Sequence, residues 1–197
     1  MMENETSNLA LEIAERKSVV NWSPQLCTDE AWSLLLEAAR HAPSSWNRQP
    51  ARYILLKEKD RIKQLCTAFH RTNHWAEKAA GLIVQAANPD DDDRVSGKDY
   101  YLYDCGLAMM SLIYQAQVMG ISCRQMIGWD EKEVKELLQV PDPYRIVVIT
   151  AIGYPSSSAV SQGMANAKRR LTQQDKRYKP EHIACWHTWG GERFENH

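Results

Sequence analysis

The residues able to do chemistry stand in a few short stretches. The richest is Ala42-Pro43-Ser44-Ser45-Trp46-Asn47-Arg48-Gln49-Pro50, with two hydroxyls and two amides held between two prolines. Pro43 biases Ala42 away from helical angles, and Pro50 does the same for Gln49. A loop so short and stiff can line a planar polar ligand with backbone N–H groups and short side chains. An ordinary helix-to-strand connection uses the same residue types. Arg16-Lys17-Ser18 joins a guanidinium fork, an ammonium and a hydroxyl, which is the donor set of a phosphate clamp. The same cations would also complement the negative end of a preceding helix.

Other polar clusters point elsewhere or nowhere. The run Asp90–Asp93 lacks the glycine and glutamate spacing of a calcium loop and reads as a solvated loop. His182, Cys185 and His187 lack a fourth neighbouring donor and fit no common zinc spacing, so no metal site is expected. No GxGxxG, P-loop or GxSxG stands in the chain, which leaves nucleotide sites and hydrolase elbows of those types unsupported.

The elements that must position these residues follow from periodicity. A short amphipathic helix around Leu9 and Ile13 ends near Lys17. A helix from Asp29 to His41, capped by Thr28 or Asp29 and buried through Leu34, Leu35 and Ala38, leads into the Pro43–Pro50 loop. A strand from Ala51 to Lys57 leads out of it. Asp60 to Phe69 reads as a helix buried through Ile62, Leu65, Cys66 and Phe69, followed by a polar and aromatic loop from Arg71 to Trp75. Gly81 to Ala87 reads as a buried strand. Asp99 to Met119 is the longest helical stretch and is apolar on most faces, which makes it central in the fold or shared with a partner subunit. Ile121 to Ile127 reads as a strand broken by Gly128, Asp130 caps a helix to Leu138, and the β-branched run Arg145–Gly153 is the best central strand. From Pro155 onward the chain turns Ser-, Gln- and charge-rich, then basic, then ends near Trp186 and Trp189. This is an arm with too few apolar residues for a core of its own, needing another surface to bury its tryptophans.

Composition sets the bounds. The 197 residues suit one domain, 1–155, with residues 156–197 as its arm. A formal net charge of -1 offers no global field for nucleic acid or an anionic membrane, so neither is an expected partner. The five cysteines are scattered, and the polar start of the chain is no signal peptide, which together suggest reduced thiols and a cytoplasmic protein. No apolar run is long enough to span a bilayer.

Taken in order, several stretches resemble the flavin-dependent nitroreductase family. Arg16-Lys17-Ser18 with Trp22 is similar to that family's N-terminal RRSxRxF phosphate motif, and Ala42–Pro50 to its APSSxNxQPW. Ile127-Gly128, after Gly120-Ile121-Ser122, is similar to its glycine-containing strand, and Gly153-Tyr154-Pro155 to its IGYP close. The tail Lys176–Gly190 resembles its RKP…W…G ending. The resemblance implies an α+β fold, a three-layer arrangement with a mixed, mostly antiparallel sheet flanked by helices, in an intertwined homodimer. It implies one FMN at each end of the interface and NADH or NADPH as electron donor, and hence a ping-pong oxidoreductase passing hydride through flavin N5 to a nitroaromatic, quinone or similar small-molecule acceptor. Arg16, Lys17 and Ser18 would hold the phosphate, with Arg177 or Lys179 completing that site from the arm. Pro43, Ser44, Ser45, Asn47 and Gln49 would line the isoalloxazine, and Asn73 would bond its polar edge. Met126, Ile127 and Gly128 would bring backbone close to the ring. Val20 departs from the pattern, standing where the family commonly has a cation near flavin N1 and O2; Arg48, Arg52 and Arg124 are the candidates to replace it. That departure keeps open other flavin chemistry on the same fold (dehalogenation, ene reduction, flavin breakdown) and a non-catalytic FMN-binding protein.

Overall fold

The computed structural model describes residues 9–156 and 177–193. The chain divides into two compact units, Met1–Ser157 and Ser158–His197.

In the first unit, helices cover both faces of a sheet. Helix α1 (Leu11–Glu15) is followed by α2 (Asp29–Arg40). Thr28 caps α2, its hydroxyl accepting the Ala31 N–H at 3.1 Å. The sheet runs β1 (Arg52–Leu56), β2 (Gly81–Ala87), β6 (Arg145–Gly153), β5 (Ser122–Met126) in space, and every pairing among them is antiparallel. A two-residue hairpin, β3 (Arg94–Val95) with β4 (Lys98–Asp99), leads into α4 (Tyr100–Val118). Helices α3 (Lys59–Cys66) and α5 (Glu131–Leu138) complete the set.

Strand alternation sorts the core into two layers. Leu82, Val84 and Ala86 of β2 join Ile149 and Ala151 of β6 against Ile62 and Leu65 of α3 and Val134 of α5. Ile83 and Ile152 face the other way, onto Trp32 and Leu35 of α2 and Met109, Leu112 and Ile113 of α4. The inward stripe of α2 is Ala31, Trp32, Leu35 and Ala39; Leu34 is exposed and Ala38 half-buried, contrary to the sequence reading. The reason is Trp32, whose ring fills the space left by the missing side chain of Gly81: a Cβ there would lie 2.5 Å from it. Seating that ring rotates the helix so that Leu34 points outward.

The longest helix is apolar as expected, but only part of its surface is covered. Tyr101, Cys105, Ala108, Met109, Leu112, Ile113 and Ala116 are buried, together with one carboxylate, Asp104. Tyr103, Met110, Tyr114 and Val118 are exposed on the opposite face, and Leu102 is exposed in the first turn. The acidic run is not the fully solvated loop its composition suggests: Asp92 is buried and Asp93 half-buried. Among the described residues no helix is long and apolar enough to cross a membrane.

The second unit, in its described residues, holds a one-turn helix α6 (Pro180–Ile183) and a tight return in which Cys185 pairs with Arg193. Tyr178, Ile183 and Trp189 are exposed. The stretch expected to be Ser- and Gln-rich arm from 157 to 176, including Lys176, lies outside the described residues, as do residues 1–8.

Candidate functional site

Gly128 follows β5 by two residues and takes φ +99°, a conformation open to glycine. The turn it makes is clamped from behind. Asn73 Nδ2 donates to the carbonyls of Ile127 (2.8 Å) and Gly128 (3.1 Å), and the His70 N–H also donates to Gly128 O at 3.0 Å. In a trans peptide the N–H points opposite to the C=O. With the Ile127 carbonyl turned in toward Asn73, the Gly128 N–H is turned out, beside the Ile127 side chain at 83% exposure. Asn73 is itself buried, in a 3-10 segment spanning Arg71–Lys78. Its two amide hydrogens go to the turn, so the residue expected to touch a ligand edge first shapes the backbone that would.

Beside this turn stands an aromatic column. Trp22 stacks on Trp75 with centroids 6.4 Å apart, and the Arg124 guanidinium lies 5.0 Å over the Trp75 ring. Trp22 is placed by backbone pairing of the Asn21–Ser23 segment with Tyr154–Ser156, where Ser23 N donates to Tyr154 O and Ser156 N to Asn21 O. Val20, half-buried, directly precedes that segment.

Arg16 and Lys17 follow the end of α1 and form no ion pair with any described residue. Arg16 is half-buried, and its charge acts on the thiol of Cys123, which burial pushes up to about 12. Strand β5 therefore has the Arg16 charge acting on its second residue and the Gly128 turn just past its last.

The Pro43–Pro50 loop is held from another direction. The Ser45 N–H donates to Asp104 Oδ2 and its hydroxyl to Asp93 Oδ2, each at 2.7 Å. Arg48 pairs with Asp93 at 2.9 Å. Ser44 Oγ accepts the Gln49 N–H at 3.0 Å, and Gln49 Nε2 donates to Asn47 O at 3.0 Å. Trp46, Asn47 and Gln49 all take positive φ (47°, 58° and 51°), which is uncommon for residues with a side chain. Trp46 is 88% exposed. The loop, with α2, β1 and α4, borders a cavity of about 270 Å³ reached by Pro43, Ser44, Gln49, Arg52, Tyr53 and Asp104.

The structure thus brings together Asn73, Met126, Ile127 and Gly128 in one wall, and Pro43, Ser44, Ser45, Asn47 and Gln49 in one braced loop. Arg177 and Lys179 belong to the second unit, where Lys179 Nζ lies 3.5 Å from Glu181. Sequence reasoning missed the anchors His70, Asp93 and Asp104. Asp104 had a signal, as the one carboxylate within the apolar stretch of α4; His70 had none. Among the described residues no cluster of three metal-binding side chains occurs, so His182, Cys185 and His187 do not form one.

The model of the nitroreductase family matches residues 13–88 and 67–154. The chain belongs to the nitroreductase family. A protein of Archaeoglobus fulgidus provisionally named NADH dehydrogenase/NAD(P)H nitroreductase is 24% identical over 177 residues, covering 87% of this chain and 93% of its own. The crystal structure of a nitroreductase family protein from Clostridium novyi NT superposes with a TM-score of 0.70 at 27% identity, covering 74% of this chain and 84% of that one. The structure of an oxidoreductase containing FMN has the same fold, with a TM-score of 0.78, 21% identity and 96% of each chain covered.

Proposed function

We propose that the protein is an FMN-dependent NAD(P)H oxidoreductase that works as a homodimer and reduces nitroaromatic, quinone or similar small-molecule acceptors by a ping-pong cycle. The observation that carries this reading is the Ile127–Gly128 turn. It presents an outward backbone N–H, held at a positive φ that glycine allows and packed from behind by His70 and the buried Asn73. The donor set also suits the cofactor. Arg16, Lys17 and Ser18 offer two cations without carboxylate partners among the described residues and a hydroxyl, which fits a dianionic phosphate. The names of the relatives, an NADH dehydrogenase/NAD(P)H nitroreductase and an oxidoreductase containing FMN, support the same class.

FMN, when bound, supplies hydride acceptance and donation at one ring position and so serves both half-reactions. The chain's own residues bind and orient. Arg16, Lys17 and Ser18 would hold the phosphate. Met126 and Ile127 would back the ring and the Gly128 N–H would donate to its edge, with Asn73 keeping that N–H aimed. Pro43, Ser44, Ser45, Asn47 and Gln49 would line the ring from the partner subunit. Of the cations left open by Val20, Arg48 is paired to Asp93 and Arg52 donates to the Gln49 and Ala51 carbonyls. Arg124, over the Trp75–Trp22 column, would be a third cation available to that edge of the ring. The exposed apolar stripe of α4 supports the dimer, and five cysteines left as thiols suit the cytoplasm.

The deciding experiment reconstitutes the protein with FMN and adds NADH or NADPH without oxygen. The flavin absorbance should bleach, then return on addition of a quinone or nitroaromatic. Flavin bands that persist with both donors would remove the NAD(P)H-dependent reading while leaving the family intact.

A further inference from the structure

Ser45 hangs from two carboxylates that the proposed reaction does not use, and behind them lies a third. Asp92 is 9% exposed, and its carboxyl is within hydrogen-bonding reach of Asp104, which is 4% exposed. Asp92 Oδ1 accepts the Asp93 N–H at 2.8 Å. Its Oδ2 is buried with no donor facing it. Two buried carboxylates in contact repel unless a proton lies between them. A proton on Asp92 would satisfy both facts at once, making its carboxyl a donor to Asp104.

We propose that Asp92 is a positioning residue: as a neutral acid it donates to Asp104, which holds the Ser45 N–H and with it the Pro43–Pro50 loop, and loss of its proton loosens that loop. The other groups around it do not relieve the repulsion. From α4 come Asp104 and Cys105, whose thiol burial pushes up to about 12 and keeps neutral. From the same segment come Asp93, whose charge acts on Asp92, and Asp91, bonded to Asn88. Arg48 of the loop is spent on Asp93, and Arg52 of β1 acts on Cys105. Burial first, then the Asp104 charge, pushes the Asp92 carboxyl above the usual range. A raised value means the clasp is complete at acid pH and is lost as pH rises through it. The loop is suited to respond, since three of its residues with side chains sit at positive φ and depend on outside anchors to stay there.

Asp92→Asn tests this, because the amide keeps the acceptor for the Asp93 N–H and gives Asp104 a donor at every pH. Hydrogen exchange at the Ser45–Asn47 amides, corrected for the intrinsic pH effect, is followed on the full chain without ligand. The native protein should lose protection by about tenfold or more across the titration; the variant should not. Parallel profiles would overturn the proposal. Should Asp92→Asn fold poorly, Asp104→Asn removes the same charge contact and must flatten the profile too. The bearing on the site rests on the loop lining bound FMN. FMN affinity should weaken with pH in the native protein and stay level in Asp92→Asn. A native protein that takes up no FMN would sink the proposed function, while the exchange data still decide the clasp.

Discussion

Gly128 shows how much one residue's backbone can decide. A Cβ at this position would lie 3.1 Å from His70 Nδ1 and 3.3 Å from Asn73 Nδ2, at a φ of +99° that L side chains rarely adopt. Gly128→Ala should therefore cost about 2 kcal/mol, from a strained conformation and displaced anchors together. Urea unfolding reads the loss; an unchanged midpoint would mean the turn relaxes freely. The sequence marks Gly128 as a breaker after a strand and Asn73 as polar in a polar stretch. It does not say that the two touch, because 54 or more positions separate Asn73 from the carbonyls it holds. The same distance in sequence hides Asp104 from Ser45, 59 positions away. Residue types and local order were legible; which side chain braces which turn depended on the packing of the sheet.

At the scale of elements, α5 and β6 are joined by one carboxylate. Glu131 Oε1 and Oε2 accept Arg145 Nε and NH2, both at 2.8 Å, and Oε1 also accepts the Ile146 N–H at 2.9 Å. The Arg145 guanidinium hydrogen bond is the main cause holding the Glu131 carboxyl below the usual range. A lowered value means stability present above the ordinary carboxylate pKa and lost as pH falls through the folded one. Glu131→Gln should lower stability by about 1 kcal/mol near neutral pH, and the gap to the native protein should close on acidification. Thermal melts across pH check it, and a constant gap would assign the effect to shape and not charge. Most element boundaries were readable from caps and periodicity: Thr28, Asp130 and Gly120 stand where helices begin or end. The outward turn of Leu34 was not, since it follows from the Trp32 ring seating on Gly81, a partner in another element.

For the whole molecule, the outer face of α4 is the feature that a single chain leaves unresolved. Tyr103, Met110, Tyr114 and Val118 recur at helical spacing and are exposed. In the homodimer we propose, this stripe is covered by a second copy. Met110→Glu would bury a charge there and should weaken association by tenfold or more, about 1.4 kcal/mol. Sedimentation at a series of concentrations measures it; a variant as dimeric as the native chain would place the interface elsewhere. The apolar character of α4 announced burial, but periodicity alone could not say how much of it one chain achieves.

The strand order β1-β2-β6-β5 also bears on how the protein is made. Strand β6 pairs on both sides, yet it is the last of the four to leave the ribosome. Until then β2 and β5, separated in space by a strand not yet synthesised, have no neighbour to zip them together. The nascent chain must carry two open edges and most of its apolar residues through that interval, and the core closes in one late event. Translation pausing before residue 153 would prolong the exposure, and a chaperone that holds extended apolar segments would find its longest window on this protein there.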